Sequence, residues 1–260
     1  MSKPPADSPT DARPAGALAR LRAALYDILF PSRCVGCGRP GVVLCAACLQ
    51  TIEFVPPGIC ERCGRPVPGA GPLCAACRRV QSPLERNCAV GYATGVLRKA
   101  IHRLKYGGQS QLAGPLAGLL RDWWADHGWP VDVVAPVPLH PYRRRQRGYN
   151  QAHLIGQAFS SMVGLSYMED AISRTRDTRP QVGLKAAERE RNVAGAFESC
   201  GDGVCGRRVL LIDDVMTTGA TLRACAVALR AAGAAGVSAL TVARARGDPR
   251  RRAGALDAGV

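Results

Sequence analysis

Two segments of this chain repeat one another, and they restrict its fold more than any other feature. Cys34 to Cys48 reads CVGCGRPGVVLCAAC, and Cys60 to Cys77 reads CERCGRPVPGAGPLCAAC. Both carry CxxCGRP and LCAAC. A CxxC knuckle presents two thiolates to one tetrahedral ion, so each repeat holds what a four-thiolate zinc site needs. The candidate ligands are Cys34, Cys37, Cys45 and Cys48, then Cys60, Cys63, Cys74 and Cys77. A duplicated unit that carries a whole site favours pairing within each repeat. A cross-braced arrangement, in which the repeats exchange knuckles, stays open. Disulfides and an iron–sulfur cluster are competing uses of the same thiols. Four thiolates leave no position for water or substrate, so zinc here is expected to be structural. Cys88, Cys200, Cys205 and Cys225 have no ligand spacing and read as buried or incidental thiols.

The rest of the 260 residues divides by texture. Residues 1–16 are rich in Pro, Ala and polar groups and read as a disordered N-terminus. Residues 17–30 place Leu18, Leu21, Leu25, Ile28 and Leu29 on one helical stripe, which Pro31 ends. With the cysteine repeats they form a unit over 17–80. From 87 to 246, apolar strands alternate with helical patterns, which reads as α/β. Strands are expected at Cys88 to Ala93, Val131 to Val137, Ala194 to Glu198, Arg208 to Ile212 and Val237 to Ala243. Helices are expected at Gly95 to Tyr106, Leu112 to His127, 150–163 and Ala220 to Ala232. Ser173 to Asn192 is polar without a clear period. Residues 247–260 read as a flexible basic tail.

Lys and Arg exceed Asp and Glu by 35 to 20, a net charge of +15. Two four-thiolate zinc sites would each carry −2, which leaves about +11. Such a balance suits phosphate-rich partners, small or polymeric. Met1 to Pro14 has no apolar signal region, and no run approaches a membrane span. The expectation is a soluble cytoplasmic protein with reduced thiols and no membrane insertion.

The densest chemistry lies in Val209 to Leu222, VLLIDDVMTTGATL. An apolar strand leads into two acids, then a Thr/Gly turn, then a helix. Ligands of open α/β sheets sit beyond the carboxyl ends of strands, and a helix start offers free N–H groups to a phosphate. Asp213 and Asp214 can accept hydrogen bonds from a sugar diol. Thr217, Thr218 and Thr221 can donate to a phosphate, with Gly219 permitting close approach of the backbone.

This segment resembles the signature of type I phosphoribosyltransferases, which bind 5-phosphoribosyl-1-pyrophosphate (PRPP). Together with the doubled cysteine motif, HRLKYGG (102–108), VPLHPYRRRQRGYNQA (137–152) and RTRDTRPQVGLKAAERERNVAGAF (174–197), it resembles the ComF family over about residues 28–246. That resemblance implies a double zinc ribbon, probed above as two sites, followed by a type I phosphoribosyltransferase-like parallel sheet with flanking helices. It also implies an association with DNA uptake in natural transformation. It assigns the ribose to Asp213 and Asp214, and the 5′-phosphate to Thr217, Thr218, Gly219 and Thr221. Lys105, Tyr106, Asn150 and Gln151, and the loop arginines Arg143, Arg144, Arg145 and Arg147, become candidates for pyrophosphate or a nucleic-acid backbone. Arg174, Thr178, Gln181, Arg189 and Asn192 fall where such enzymes carry a flap that closes over the reaction. Mg²⁺ would accompany PRPP, and an acceptor nitrogen would displace pyrophosphate at the ribose C1. Whether the chain transfers the group, binds single-stranded DNA as an accessory, or senses PRPP while contacting other DNA-uptake proteins is left open by the residues.

Overall fold

The computed structural model describes residues 31–64, 67, 71–176 and 186–246, with residues 186, 187 and 189 described by backbone alone. The expected N-terminal tail, the helix over 17–30, the basic tail over 247–260, Thr178 and Gln181 lie outside the described residues.

Within the cysteine repeats, two short helices follow the second knuckles, α1 (Ala46–Leu49) and α2 (Ala75–Arg79). The chain then runs β1 (Arg86–Tyr92), α3 (Gly95–Tyr106), α4 (Ala113–His127), β2 (Val133–Pro136), α5 (Pro141–Arg147), α6 (Gln151–Val163), β3 (Ser166–Tyr167), β4 (Ile172–Arg174), α7 (Ala186–Val193), β5 (Phe197–Ser199), β6 (Arg208–Met216), α8 (Ala220–Ala231) and β7 (Gly236–Arg244). Five strands form one parallel sheet in the order β1-β7-β6-β2-β3. A parallel sheet is covered on both faces, and its strands read as nearly continuous apolar runs, as VLLI and GVSALTVA do here. Alternation along β6 divides the core. Leu210 and Ile212 join Leu97, Leu104, Leu116, Leu120, Ile155 and Phe159 under α3, α4 and α6. Val209 and Leu211 join Leu222, Cys225, Leu229, Ile172 and Phe197 under α8 and the β4–β5 hairpin.

Four expectations are corrected. The arginine segment after β2 is a helix, α5, not a loop. His140 caps it by accepting from Tyr142 N–H, Pro141 opens it, and Gly148 closes it at φ +81°. Pro at the first helical position and Gly in the left-handed cap are the types that those positions favour. Within Ser173 to Asn192, Ala186–Val193 is helical. Its alternating Glu and Arg are good helix formers, but they leave no apolar stripe to detect. Finally, β6 continues four residues past Ile212, because β7 stays alongside it: Asp213 pairs with Thr241 and Met216 with Arg244. The two acids therefore lie within a strand. The strand expected over Ala194 to Glu198 is shifted to Phe197–Ser199 and belongs to the small antiparallel hairpin.

The cysteine module seals the sheet. β1 is an edge strand, and its outer side is taken up by the chain leaving the first repeat. Val55 N–H donates to Val90 O at 2.9 Å, Tyr92 N–H donates to Glu53 O at 2.8 Å, and Phe54 bridges Gly91. From the second repeat, Glu61 O accepts from Asn87 N–H at 2.6 Å. An uncovered edge would template pairing with another chain. Cys34, Leu44, Cys45, Cys48 and Ile52 share one apolar cluster with Val90, Val96 and Leu97, so the first repeat packs into the core itself.

Gly91 lies beneath this seal. A Cβ there would lie 2.7 Å from Leu97 Cδ2 and 3.3 Å from Glu53 O. Gly91→Ala should lower unfolding free energy by about 1–3 kcal/mol. The check is a reduced urea midpoint at unchanged slope.

Candidate functional site

Each cysteine repeat closes into one cluster. The four sulfurs of Cys34, Cys37, Cys45 and Cys48 lie within 4.8 Å of one another, as do those of Cys60, Cys63, Cys74 and Cys77. Pairing is thus within repeats, and the cross-braced alternative is excluded. A tetrahedral ion with bonds of about 2.3 Å needs sulfur–sulfur edges of about 3.8 Å. The Cys34–Cys45, Cys37–Cys45 and Cys63–Cys74 separations are 3.7, 3.6 and 3.7 Å. Thiols this far apart are not disulfides, and all twelve cysteines are free. Both knuckles close on a glycine of positive φ, Gly38 and Gly64, whose N–H donates to the carbonyl of the leading cysteine at 2.8 and 2.7 Å. Burial alone would push the Cys34 thiol up, but backbone N–H groups of Cys37, Cys45 and Gly36 outweigh it and bring it down to about 6. The donor sets fit structural zinc. Cys88, Cys200, Cys205 and Cys225 belong to neither cluster.

At the other end of the sheet, β6 turns into α8 through Thr217, Thr218 and Gly219. Gly219 takes φ +77° and precedes a twelve-residue helix to which it, as the N-cap, offers no side-chain hydrogen bond. Asp213, Met216, Thr217, Gly219, Ala220 and Thr221 are among the residues lining a cavity of about 30 Å³ at this turn. Thr218 Oγ1 accepts from Ala220 N–H at 3.4 Å. Arg223, which the sequence reading missed, braces the turn: its Nη1 donates to Thr218 O at 3.0 Å and its Nη2 to Glu190 Oε1 at 2.5 Å.

Strand alternation sends the two acids to opposite faces of β6. Asp214 is buried and pairs with Lys105 Nζ at 2.7 Å. Burial works against the Lys105 charge, yet the Asp214 carboxylate more than offsets it and the pKa is raised. Asp213 points to the α8 side, where burial, and then the charge of Asp214, lift it from 3.8 to about 7. Lys105, the Asp214 N–H at 2.8 Å and Arg174 pull it the other way. Arg174 of β4 therefore stands at the site, with its guanidinium 5.4 Å from the Phe197 ring centroid.

The other expected residues distribute unevenly. Arg147 lies 4.9 Å from the Tyr106 ring centroid, donates to Tyr106 Oη at 3.3 Å and to Gln151 Oε1 at 3.0 Å, and its charge acts on Lys105. Lys105, Tyr106, Arg147 and Gln151 thus form one group beside Asp214. Asn150 is engaged as the cap of α6, accepting from Ala152 N–H and donating to Val137 O at 3.0 Å each. Arg144 reaches Glu169 at 3.4 Å, Arg143 is half-buried, and Arg145 is exposed. Asn192 lies in α7, where its carbonyl accepts from Arg176 at 3.3 Å; Arg189 lies in the same helix. A second cavity, of about 220 Å³, opens beside β2 between Arg144, His153, Glu169, Ser173 and Arg174.

A paired-thiolate module fused to a parallel sheet with an acid–acid–turn–helix segment defines a double zinc ribbon protein with a phosphoribosyltransferase fold. Family models agree: residues 25–88 match "Double zinc ribbon domain" and residues 163–257 match "Phosphoribosyl transferase domain". The chain is 31% identical to Competence protein F of Haemophilus influenzae over 227 residues, 83% of this chain and 98% of that protein. It is 30% identical to DNA utilization protein YhgH of Escherichia coli K12, over 84% of this chain and 99% of that one. Against Competence protein ComFC of Bacillus subtilis the identity is 26%, over 79% and 86%. The chain belongs to the ComF family. Among solved structures it is similar to the glutamine PRPP amidotransferase of Bacillus subtilis at 20% identity and a TM-score of 0.38, over 54% of this chain and 30% of that one. Among the described residues, no helix is long and apolar enough to cross a membrane.

Metal analysis should return two zinc ions per chain. Asp213 gives a pH signature. Its raised folded pKa means that the folded state holds the proton more tightly than the unfolded chain, so this stabilisation is full below about pH 4 and lost as pH rises through about 7. Asp213→Asn should therefore be more stable than the parent at pH 8, by at most about 4 kcal/mol, and indistinguishable from it at pH 4. Urea unfolding at the two pH values measures this.

Proposed function

We propose that the cleft over the carboxyl ends of β6 and β2 binds PRPP with Mg²⁺, and that the chain serves DNA uptake as its relatives' names, competence and DNA utilization, describe theirs. The observation that carries this reading is the β6–α8 segment. It sets the Asp213 carboxylate beside a small cavity at the start of α8 that Thr217, Gly219 and Thr221 also line. A phosphate fits the helix start, and the ribose diol fits the acids. Asp213 and Asp214 would accept from the sugar hydroxyls, with Lys105 paired to Asp214. Arg147 and Arg174, flanking the acids, supply positive charge where pyrophosphate would lie. Mg²⁺, when bound, supplies neutralisation of the pyrophosphate charge.

In the transfer itself, the lone pair of an acceptor nitrogen forms the bond to C1. The C1–O bond breaks, and its electron pair leaves with pyrophosphate. Charge develops on sugar and leaving group, so the work of this chain is orientation and electrostatic stabilisation.

A second reading has its own observation. Tyr106 and Tyr142 are 66% and 50% exposed beside the arginines of α5. Aromatic faces next to a basic helix suit single-stranded nucleic acid. Binding of single-stranded DNA with a steep salt slope, lost when Arg143, Arg144, Arg145 and Arg147 are neutralised, would support it. Binding that does not respond to salt would exclude it.

PRPP with Mg²⁺ at a hundredfold excess over Kd should stabilise the chain by about 2.7 kcal/mol, seen as a higher Tm. In Asp213→Asn/Asp214→Asn the ligand shift should vanish while the chain still unfolds cooperatively. An undiminished shift in that variant would remove the acids from the site.

A further inference from the structure

Asn87 of β1 touches two parts of the molecule that serve different purposes. Its backbone is held by the second zinc knuckle. Its N–H donates to Glu61 O, inside Cys60–Cys63, at 2.6 Å. A Cβ on Gly64, the glycine closing that knuckle, would lie 3.5 Å from Asn87 O. Its side chain faces the turn before α8. A Cβ on Gly219, in the turn before α8, would lie 3.3 Å from Asn87 Nδ2 and 3.3 Å from Arg223 Nη1. A guanidinium and an amide donor thus both crowd the space beside Gly219. Asn87 is 2% exposed, and its Oδ1 has no hydrogen-bond partner among the described residues. An unmatched buried acceptor costs stability, and an apolar residue of the same size would avoid that cost. A polar group left unmatched beside a ligand turn points to a role in that turn.

The two zinc sites also differ. In the first, Cys34, Cys45 and Cys48 are buried and Cys37 is exposed; in the second, Cys60 is buried and Cys63, Cys74 and Cys77 are half-buried. Three of the second site's four thiols are thus partly open to chelators and oxidants.

We propose that Asn87 is a positioning residue for the phosphate turn, and that through it the second zinc site sets the affinity for the 5′-phosphate of PRPP. This rests on the PRPP reading above. The chain of contacts is short: knuckle carbonyl, Asn87 backbone, Asn87 amide, Gly219. β1 is an edge strand, so its outer side depends on the module. When the second knuckle opens, the start of β1 slackens and the turn loses one of its two braces. Zinc availability or thiol oxidation at an outlying site then controls binding in the cleft without any zinc contact to ligand.

The test uses the full zinc-loaded chain and Asn87→Leu, which keeps the volume and removes the amide. Ligand-free Tm should be equal or higher, while affinity for PRPP with Mg²⁺ and for ribose 5-phosphate falls by about tenfold or more in calorimetry. Amide exchange at residues 217–222 should quicken. A lower Tm with unchanged affinity would make Asn87 a packing residue only and overturn the proposal. In a second arm, the parent is titrated with a chromogenic chelator, and the released ion is located by alkylation of Cys63, Cys74 and Cys77. Affinity should fall as the second-site ion leaves; affinity that survives its loss overturns the coupling. If the parent binds neither phosphate probe, the PRPP reading fails. Amide exchange then decides the link alone: faster exchange in Asn87→Leu keeps it, and unchanged exchange removes it.

Discussion

A parallel sheet must be buried on both faces and closed at both edges, and this constraint organises the chain. The faces are met by α3, α4 and α6 on one side, and by α8 with the β4–β5 hairpin on the other. One edge ends in β3, only two residues long and too short to template much pairing. The other edge is β1, a seven-residue strand that needs a cover. The cysteine module supplies it with backbone hydrogen bonds at Glu53, Val55 and Glu61. Sulfur ligation makes such a cover feasible, because a segment this rich in Gly and Pro has too little apolar surface to fold alone.

The same sheet fixes the electrostatics of the cleft. Because β6 stays paired with β7 through Met216, Asp213 and Asp214 are held by a strand. Their faces differ, and so do their environments. Asp214 meets Lys105 and gains an ion pair, while Asp213 meets burial and a neighbouring negative charge. Arg147 and Arg174 sit on either side, each held against an aromatic ring.

Sequence patterning reached the parts governed by local rules. The apolar runs of β6 and β7, the helix over Gly95–Tyr106 and both cysteine knuckles follow from periodicity or ligand spacing. It stopped short where the cause was distant or unpatterned. PYRRRQRG has no apolar stripe, so α5 showed only in its caps, Pro141 and Gly148. The extension of β6 depended on the length of β7. Lys105 was visible as a candidate through resemblance, but its ion pair with Asp214 joins segments that α4 to α7 separate in sequence. Arg223 and Asn87 carried no signal: one is an arginine on a helix, the other a polar residue opening an apolar strand.

The pairing of β1 has a consequence for the order of assembly. Its one strand neighbour is β7, and the hydrogen bond from Thr241 to Cys88 O joins residues 153 apart in sequence. Chains emerge N-terminus first, and contacts between distant segments form slowly. The cysteine module and β1 leave the ribosome together, long before β7 exists. Early metal capture lets the module occupy one side of β1 while the other side waits. The last strand of the sheet then closes the side of β1 that the module leaves open.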